Sequence, residues 1–141
     1  MAAVYRVWAA IVAAAIVVQI GLAGYGAFYV ADKVGDVSVD QSLFDDGWGL
    51  HVGFGYLVLL SGLLLLLFAL AARVGRRRVF RALGLFGLIV VQILLAWFGE
   101  EVPVIGMLHP INAFLILGLA GSIVYEAWRR PGRVEQVAGG V

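Results

Sequence analysis

Two histidines, His51 and His109, are the only ones in a chain of 141 residues that has no cysteine. Each opens a charge-free apolar stretch in the same context, Leu50-His51 and Leu108-His109, and each is followed one helical turn on by a small residue, Gly55 or Ala113. An imidazole inside an apolar helix is costly and marks a functional position. Two of them at matching positions on two helices could bind one metal centre from opposite faces, the bis-histidine ligation of haem iron, with the small residues leaving a slot for the porphyrin. Gly53, and Gly62 and Gly121 about two turns beyond the histidines, extend that expected slot. Gln19 and Gln92 recur as well, each followed at four and seven residues by Ala and Gly (Ala23 and Gly26, Ala96 and Gly99). They are expected to hydrogen-bond a cofactor edge or the free nitrogen of a ligand histidine, or else to tie helices together. Without a cofactor, the histidines would be half-solvated residues at the membrane interface.

The elements that must position these side chains follow from composition. At 63% hydrophobic and 13% charged, the chain lies far from the soluble norm of about 45–50% apolar and about 25% charged. Residues 7–31, 47–72, 82–99 and 102–125 carry no Asp, Glu, Lys or Arg. Each is long enough to cross a hydrocarbon core of roughly 30 Å as a helix, the third only just. The expectation is one all-α integral membrane domain, an up-down-up-down four-helix bundle with spans of about 7–31, 47–72, 82–99 and 104–128 and a flexible tail at 129–141. The first run is longer than the h-region of a signal peptide and reads as an uncleaved helix. No second domain or water-soluble catalytic lobe is expected. The lack of cysteine excludes disulfides, thiolate metal sites and cysteine nucleophiles, and a net charge of +1 gives no reason to invoke nucleic acid.

Charge fixes the expected orientation. Nine of the ten basic residues, Arg6, five arginines between 73 and 81, and three after the fourth span, fall on one side, whereas segments 32–46 and 100–101 hold seven of the nine acids. The positive-inside rule puts both termini in the cytoplasm and the 32–46 loop outside. Arginine-rich, alanine- and glycine-rich usage suggests a bacterial cytoplasmic membrane. The loop 32–48, with Ser42, Leu43, Phe44 and Trp48, is expected to fold back over the outer mouth. Trp8, Trp48, Trp97 and Trp128 near the span ends read as interface anchors. The 73–81 arginines would also attract anionic lipid. Asp45, Asp46, Glu100 and Glu101 with His51 offer mixed ligands for a divalent ion, but their spacing is not compact and a solvated loop is the simpler reading.

Val17–Gly26 and Val90–Gly99 are identical at seven of ten positions. With the matched histidines, this predicts two hairpins related by a pseudo-twofold axis along the membrane normal, placing His51 and His109 face to face near the outer end.

The stretch Gln92-Ile93-Leu94-Leu95-Ala96, followed by Pro103 and by Leu108-His109 opening the fourth helix, resembles the third and fourth helices of one half of the haem A synthase family. The resemblance spans the membrane portion and implies one haem b held by His51 and His109 on the extracytoplasmic side. It departs at Trp48, where the family carries a glutamate used in oxidising the haem, and in lacking a second four-helix half. Haem hydroxylation is therefore not implied, and a homodimer would be needed to rebuild eight helices. The resulting expectation is a small membrane cytochrome b for electron transfer or haem sensing. Its cofactor contacts are His51, His109, Gly55, Ala113, Gln19, Gln92 and Trp48, with Lys33 and Trp48 near the propionates and a quinone or redox protein as partner. The alternative is a cofactor-free accessory subunit of a larger membrane complex. Pro110 would kink a helix begun at Pro103 but sits comfortably in one begun at Leu108.

Overall fold

A computed structural model describes residues 1–129 apart from Val37 and Val39. The elements of the described residues are all helices: α1 spans Ala2–Lys33, α2 Gln41–Ala71, α3 Arg76–Glu101, α4 the single turn Pro103–Gly106, and α5 Leu108–Arg129. The four long segments are apolar enough to cross a membrane, with α4 and α5 together making the fourth. They form a ring in which α1 packs on α2, α2 on α3, α3 on α5 and α5 on α1, so α1 faces α3, and α2 faces α5, across the diagonals. Large apolar side chains such as Phe28, Leu57 and Leu115 are exposed on the outside of the bundle, the arrangement that a lipid surrounding requires. Of the expected tail at 129–141, all but Arg129 lies outside the described residues.

The buried positions repeat between hairpins. Ala9, Val12 and Ile16 on α1 correspond to Ala82, Leu85 and Ile89 on α3, while Val58, Gly62, Leu65 and Ala69 on α2 correspond to Ile116, Ala120, Ile123 and Ala127 on α5. One alanine from each helix (Ala9, Ala69, Ala82, Ala127) closes the arginine-bearing end, where minimal side chains let the backbones approach. At the other end each hairpin crosses on glycines. A Cβ on Gly26 would lie 2.9 Å from the Gly47 carbonyl oxygen, and one on Gly99 would lie 2.5 Å from the Gly106 Cα.

The expected 32–48 loop is shorter than its charge pattern implied. Asp40 caps α2, accepting the Ser42 amide (3.0 Å), the Leu43 amide (3.3 Å) and the Ser42 hydroxyl (2.7 Å), so Ser42, Leu43, Phe44 and Trp48 are helical rather than looped. Helix formation does not require apolar residues, and Asp45 and Asp46 lie in the extra-membrane turns of a 31-residue helix whose length, at about 1.5 Å per residue, exceeds the roughly 30 Å core. The Ser42 hydroxyl bond holds the Asp40 carboxyl below the usual carboxylate range. A lowered folded pKa means that the cap is fully present above the unfolded value and is lost as pH falls through the folded one. The protection of the Ser42 and Leu43 amides, taken as their exchange relative to the intrinsic rate at each pH, should therefore fall selectively on acidification, and Asp40→Asn should remove that pH dependence. Pro110 lies in the first turn of α5, where its missing N–H costs nothing, because Met107 separates α4 from α5.

The two hairpins differ in how a matched pair near the arginine-bearing end is joined. In the first, Trp8 meets Phe68 edge to face (centroids 5.5 Å) and donates to the Ser61 carbonyl at 2.9 Å, a helix-to-helix role rather than that of a lipid anchor. In the second, the corresponding residues are Arg81 and Glu126, which form an ion pair supported by Ser122 (3.1 Å from Arg81) and Arg77 (3.6 Å from Glu126). Glu126→Leu alone should destabilise by about 2 kcal/mol, below the roughly 3–5 of a fully enclosed pair because the Arg81 side chain retains 28% exposure. Arg81→Trp combined with Glu126→Phe copies the first hairpin and should recover most of that loss. Unfolding in mixed micelles, read as a double-mutant cycle, checks both.

Candidate functional site

His51 lies well inside α2 rather than in its first turn, and His109 opens α5, so the rings arrive from diagonal helices and meet on the bundle axis. Their centroids are 6.3 Å apart with planes at 61°, and both rings are partly buried. Each is held by the glutamine of its own hairpin. His51 Nδ1 donates to the Gln19 carbonyl at 3.1 Å, and His109 Nδ1 to the Gln92 carbonyl at 3.0 Å. Because the acceptor is a carbonyl, Nδ1 carries the proton and Nε2 keeps its lone pair.

Beneath and between the rings lies a cavity of about 300 Å³, at the lower end of the roughly 300–1,000 Å³ of small-molecule sites. Its floor is Ile16, Val58, Ile89 and Ile116. Its walls include Gln19 with Gln92, Ala23 with Ala96, His51 with His109, and Gly55 with Ala113, each pair related by the repeat. The pseudo-twofold axis thus runs through the cavity. Trp97 and Glu100 are the lining residues with no counterpart, and no Lys or Arg lines it.

The expected site residues are largely brought together. Gln19, Gln92, His51, His109, Gly55 and Ala113 all line the cavity. Trp48 does not. Its ring packs on Gly26 and meets the His51 ring edge-on at 5.6 Å, so it steadies the histidine from behind. Gly62 packs on Ile89 of α3, while Gly53 and Gly121 have open space where a side chain would project, and none of the three widens the slot. A Cβ on Gly55 would lie 3.1 Å from Gln19 Nε2, so this glycine makes room for the glutamine amide. Lys33 pairs with Asp32 at 3.3 Å and is not part of the lining. Asp45, Asp46, Glu100, Glu101 and His51 do not assemble: among the described residues no three His, Cys, Asp or Glu side chains converge as a metal-ion site.

Sequence reasoning missed Asn112, which is buried and donates to the Leu88 carbonyl (2.9 Å) and to Gln92 Oε1 (2.8 Å). It is the only asparagine in the chain and stands one turn after His109, so its polarity in an apolar helix was a readable signal. Its counterpart in the first hairpin is Phe54, and Gln19 is accordingly satisfied differently. Gln19 Nε2 donates to the His51 carbonyl at 2.8 Å and lies 3.4 Å from His51 Nε2, while Gln19 Oε1 is buried with no partner.

Residues 19–100, more than half the chain, match the model of a family of unknown function, DUF6220. The chain belongs to that family. The segment shared with DUF6220 begins at Gln19 and takes in His51, Gly55 and Gln92, so one complete glutamine–histidine pair lies inside it. No curated protein and no solved structure matches the chain.

Proposed function

We propose that this protein is a small membrane cytochrome that binds one haem b between His51 and His109. One observation carries the reading: two imidazoles from diagonal helices, each with Nδ1 tied back to a carbonyl so that Nε2 keeps its lone pair, meet on the bundle axis at a ring separation of 6.3 Å. A metal–imidazole bond of about 2 Å plus about 1.1 Å from nitrogen to ring centre would put the centroids of two histidines sharing one iron roughly 6.2 Å apart, close to the spacing of the two rings. The donor set fits as well, since neutral imidazoles oriented by hydrogen bonds at Nδ1 are the usual histidine ligands of metals. Ala23 and Ala96, on the diagonal opposite to the histidines, leave room for a flat ring. The likeness to one half of the haem A synthase family supports the same ligand pair.

Bis-histidine haem supplies one-electron redox chemistry, for which the natural partner is a quinone or a redox protein. His51 and His109 hold and orient, the isoleucine and valine floor excludes water, and carboxylate substituents are left to water at the mouth because no cation lines it. We place the arginine-bearing end in the cytoplasm of a bacterium and the site near the outer face of its inner membrane. The absorption spectrum of protein purified from haem-sufficient cells tests this. A Soret band with sharp α and β bands on reduction is expected. A colourless preparation that takes up no haem on reconstitution would overturn it and leave the accessory-subunit reading.

A further inference from the structure

Within the haem reading, on which this step rests, the two ligand positions are unequal. We infer that His109 is the permanent ligand and His51 the displaceable one, so that a π-acceptor diatomic such as carbon monoxide binds the ferrous iron on the His51 side. A departing imidazole needs a partner for its Nε2 lone pair, because a partly buried acceptor without one is costly. For His51 that partner is in place: one hydrogen of the Gln19 amide is directed to the His51 carbonyl at 2.8 Å, and the same nitrogen stands 3.4 Å from His51 Nε2. The carbonyl contact fixes which end of the carboxamide faces the histidine, since an oxygen placed there would oppose another oxygen. Gln19 therefore grips His51 at three points: ring Nδ1, ring Nε2 and backbone carbonyl.

His109 has only the first of these contacts. Gln92 Oε1 is engaged by Asn112, and among the described residues His109 Nε2 makes no hydrogen bond. Asn112 holds Gln92 by its oxygen, and among the described residues no hydrogen bond joins the Gln92 amide nitrogen to His109, whereas Gln19, with Phe54 in the place of Asn112, turns its amide nitrogen to His51. The exchange breaks the bond from iron to His51 Nε2 and forms one from iron to the carbon of the diatomic. No electron or proton is transferred, and the imidazole lone pair passes to a hydrogen of the Gln19 amide.

The test is a carbon monoxide titration of the haem-loaded, dithionite-reduced full chain, followed at the Soret band. His51→Ala should retain haem and bind carbon monoxide about tenfold or more tightly, since the internal competitor is gone. His109→Ala should lose most of its haem. Gln19→Leu should stay low-spin when ferric yet bind carbon monoxide about threefold more weakly, the worth of one modest hydrogen bond. If Gln19→Leu fails to hold haem, Gln19→Asn, whose amide falls one methylene short, carries the same expectation. Equal haem retention in the two histidine variants, or unchanged carbon monoxide affinity in the glutamine variant, would overturn the inference while leaving the cytochrome reading intact. No Soret band in the unsubstituted protein would instead remove the reading beneath it.

Discussion

The double variant His51→Ala with His109→Ala is expected to lose haem binding outright while keeping its helical content. The His109 ring contributes only its Nδ1 bond and the His51 ring its Nδ1 bond and the Nε2 contact with Gln19, and neither ring belongs to the buried apolar core. Removing them leaves the layers from Ala9, Ala69, Ala82 and Ala127 up to Ile16 and Ile89 untouched. Loss of one outer-shell partner of a metal ligand costs about 10–100-fold in affinity, so loss of both ligands should exceed that range. Haem titration of the purified variant, with circular dichroism as the folding control, gives the answer. Haem uptake equal to that of the unsubstituted protein would place the haem away from this cavity.

Gly99→Ala is expected to be the most damaging single-methyl change in the chain. Its new Cβ would meet the Gly106 Cα at 2.5 Å and the Gly106 nitrogen at 3.0 Å, both backbone atoms that no rotamer change can move aside. The α3–α4 crossing must open, at a cost of about 1–3 kcal/mol or more. The consequence reaches the site because Glu100 follows Gly99, and His109 lies just beyond Gly106. Haem occupancy should fall together with stability. Gly121→Ala is the matched control: nothing lies within 4 Å of its Cβ position, and alanine's better helix propensity should stabilise by up to about 1 kcal/mol. Unfolding of both variants in mixed micelles separates a steric effect at one crossing from a general intolerance of glycine replacement.

The bundle and its internal symmetry were legible because membrane sequence is a sparse code. Against a background of Val, Leu and Ala, the recurrence of Gln19 as Gln92 and of His51 as His109 stands out, and the same register correctly pairs Ile16 with Ile89 and Val58 with Ile116 in the cavity floor. The start of α2 was less legible. Asp45 and Asp46 end the apolar stretch, but hydropathy reports where lipid is, whereas Asp40 and its bonds to Ser42 and Leu43 decide where the helix begins. The slot was also read too generously. A glycine one turn from a ligand can serve a neighbouring side chain, as Gly55 serves Gln19, and one two turns away can face another helix or open space, as Gly62 and Gly121 do. Pairings across distant sequence, Arg81 with Glu126 and Asn112 with Gln92, had no local pattern to announce them. In both, the signal was a polar residue out of keeping with its surroundings: an acid at the basic end, and a lone asparagine in an apolar helix.

The central claim is that His51 and His109 are trans ligands of a single iron, and electron paramagnetic resonance of the ferric, haem-loaded protein tests it most directly. The account predicts a wholly low-spin signal in the unsubstituted protein that converts to high-spin in His51→Ala. A high-spin signal before any substitution, or a low-spin signal that survives in the double histidine variant, would contradict it.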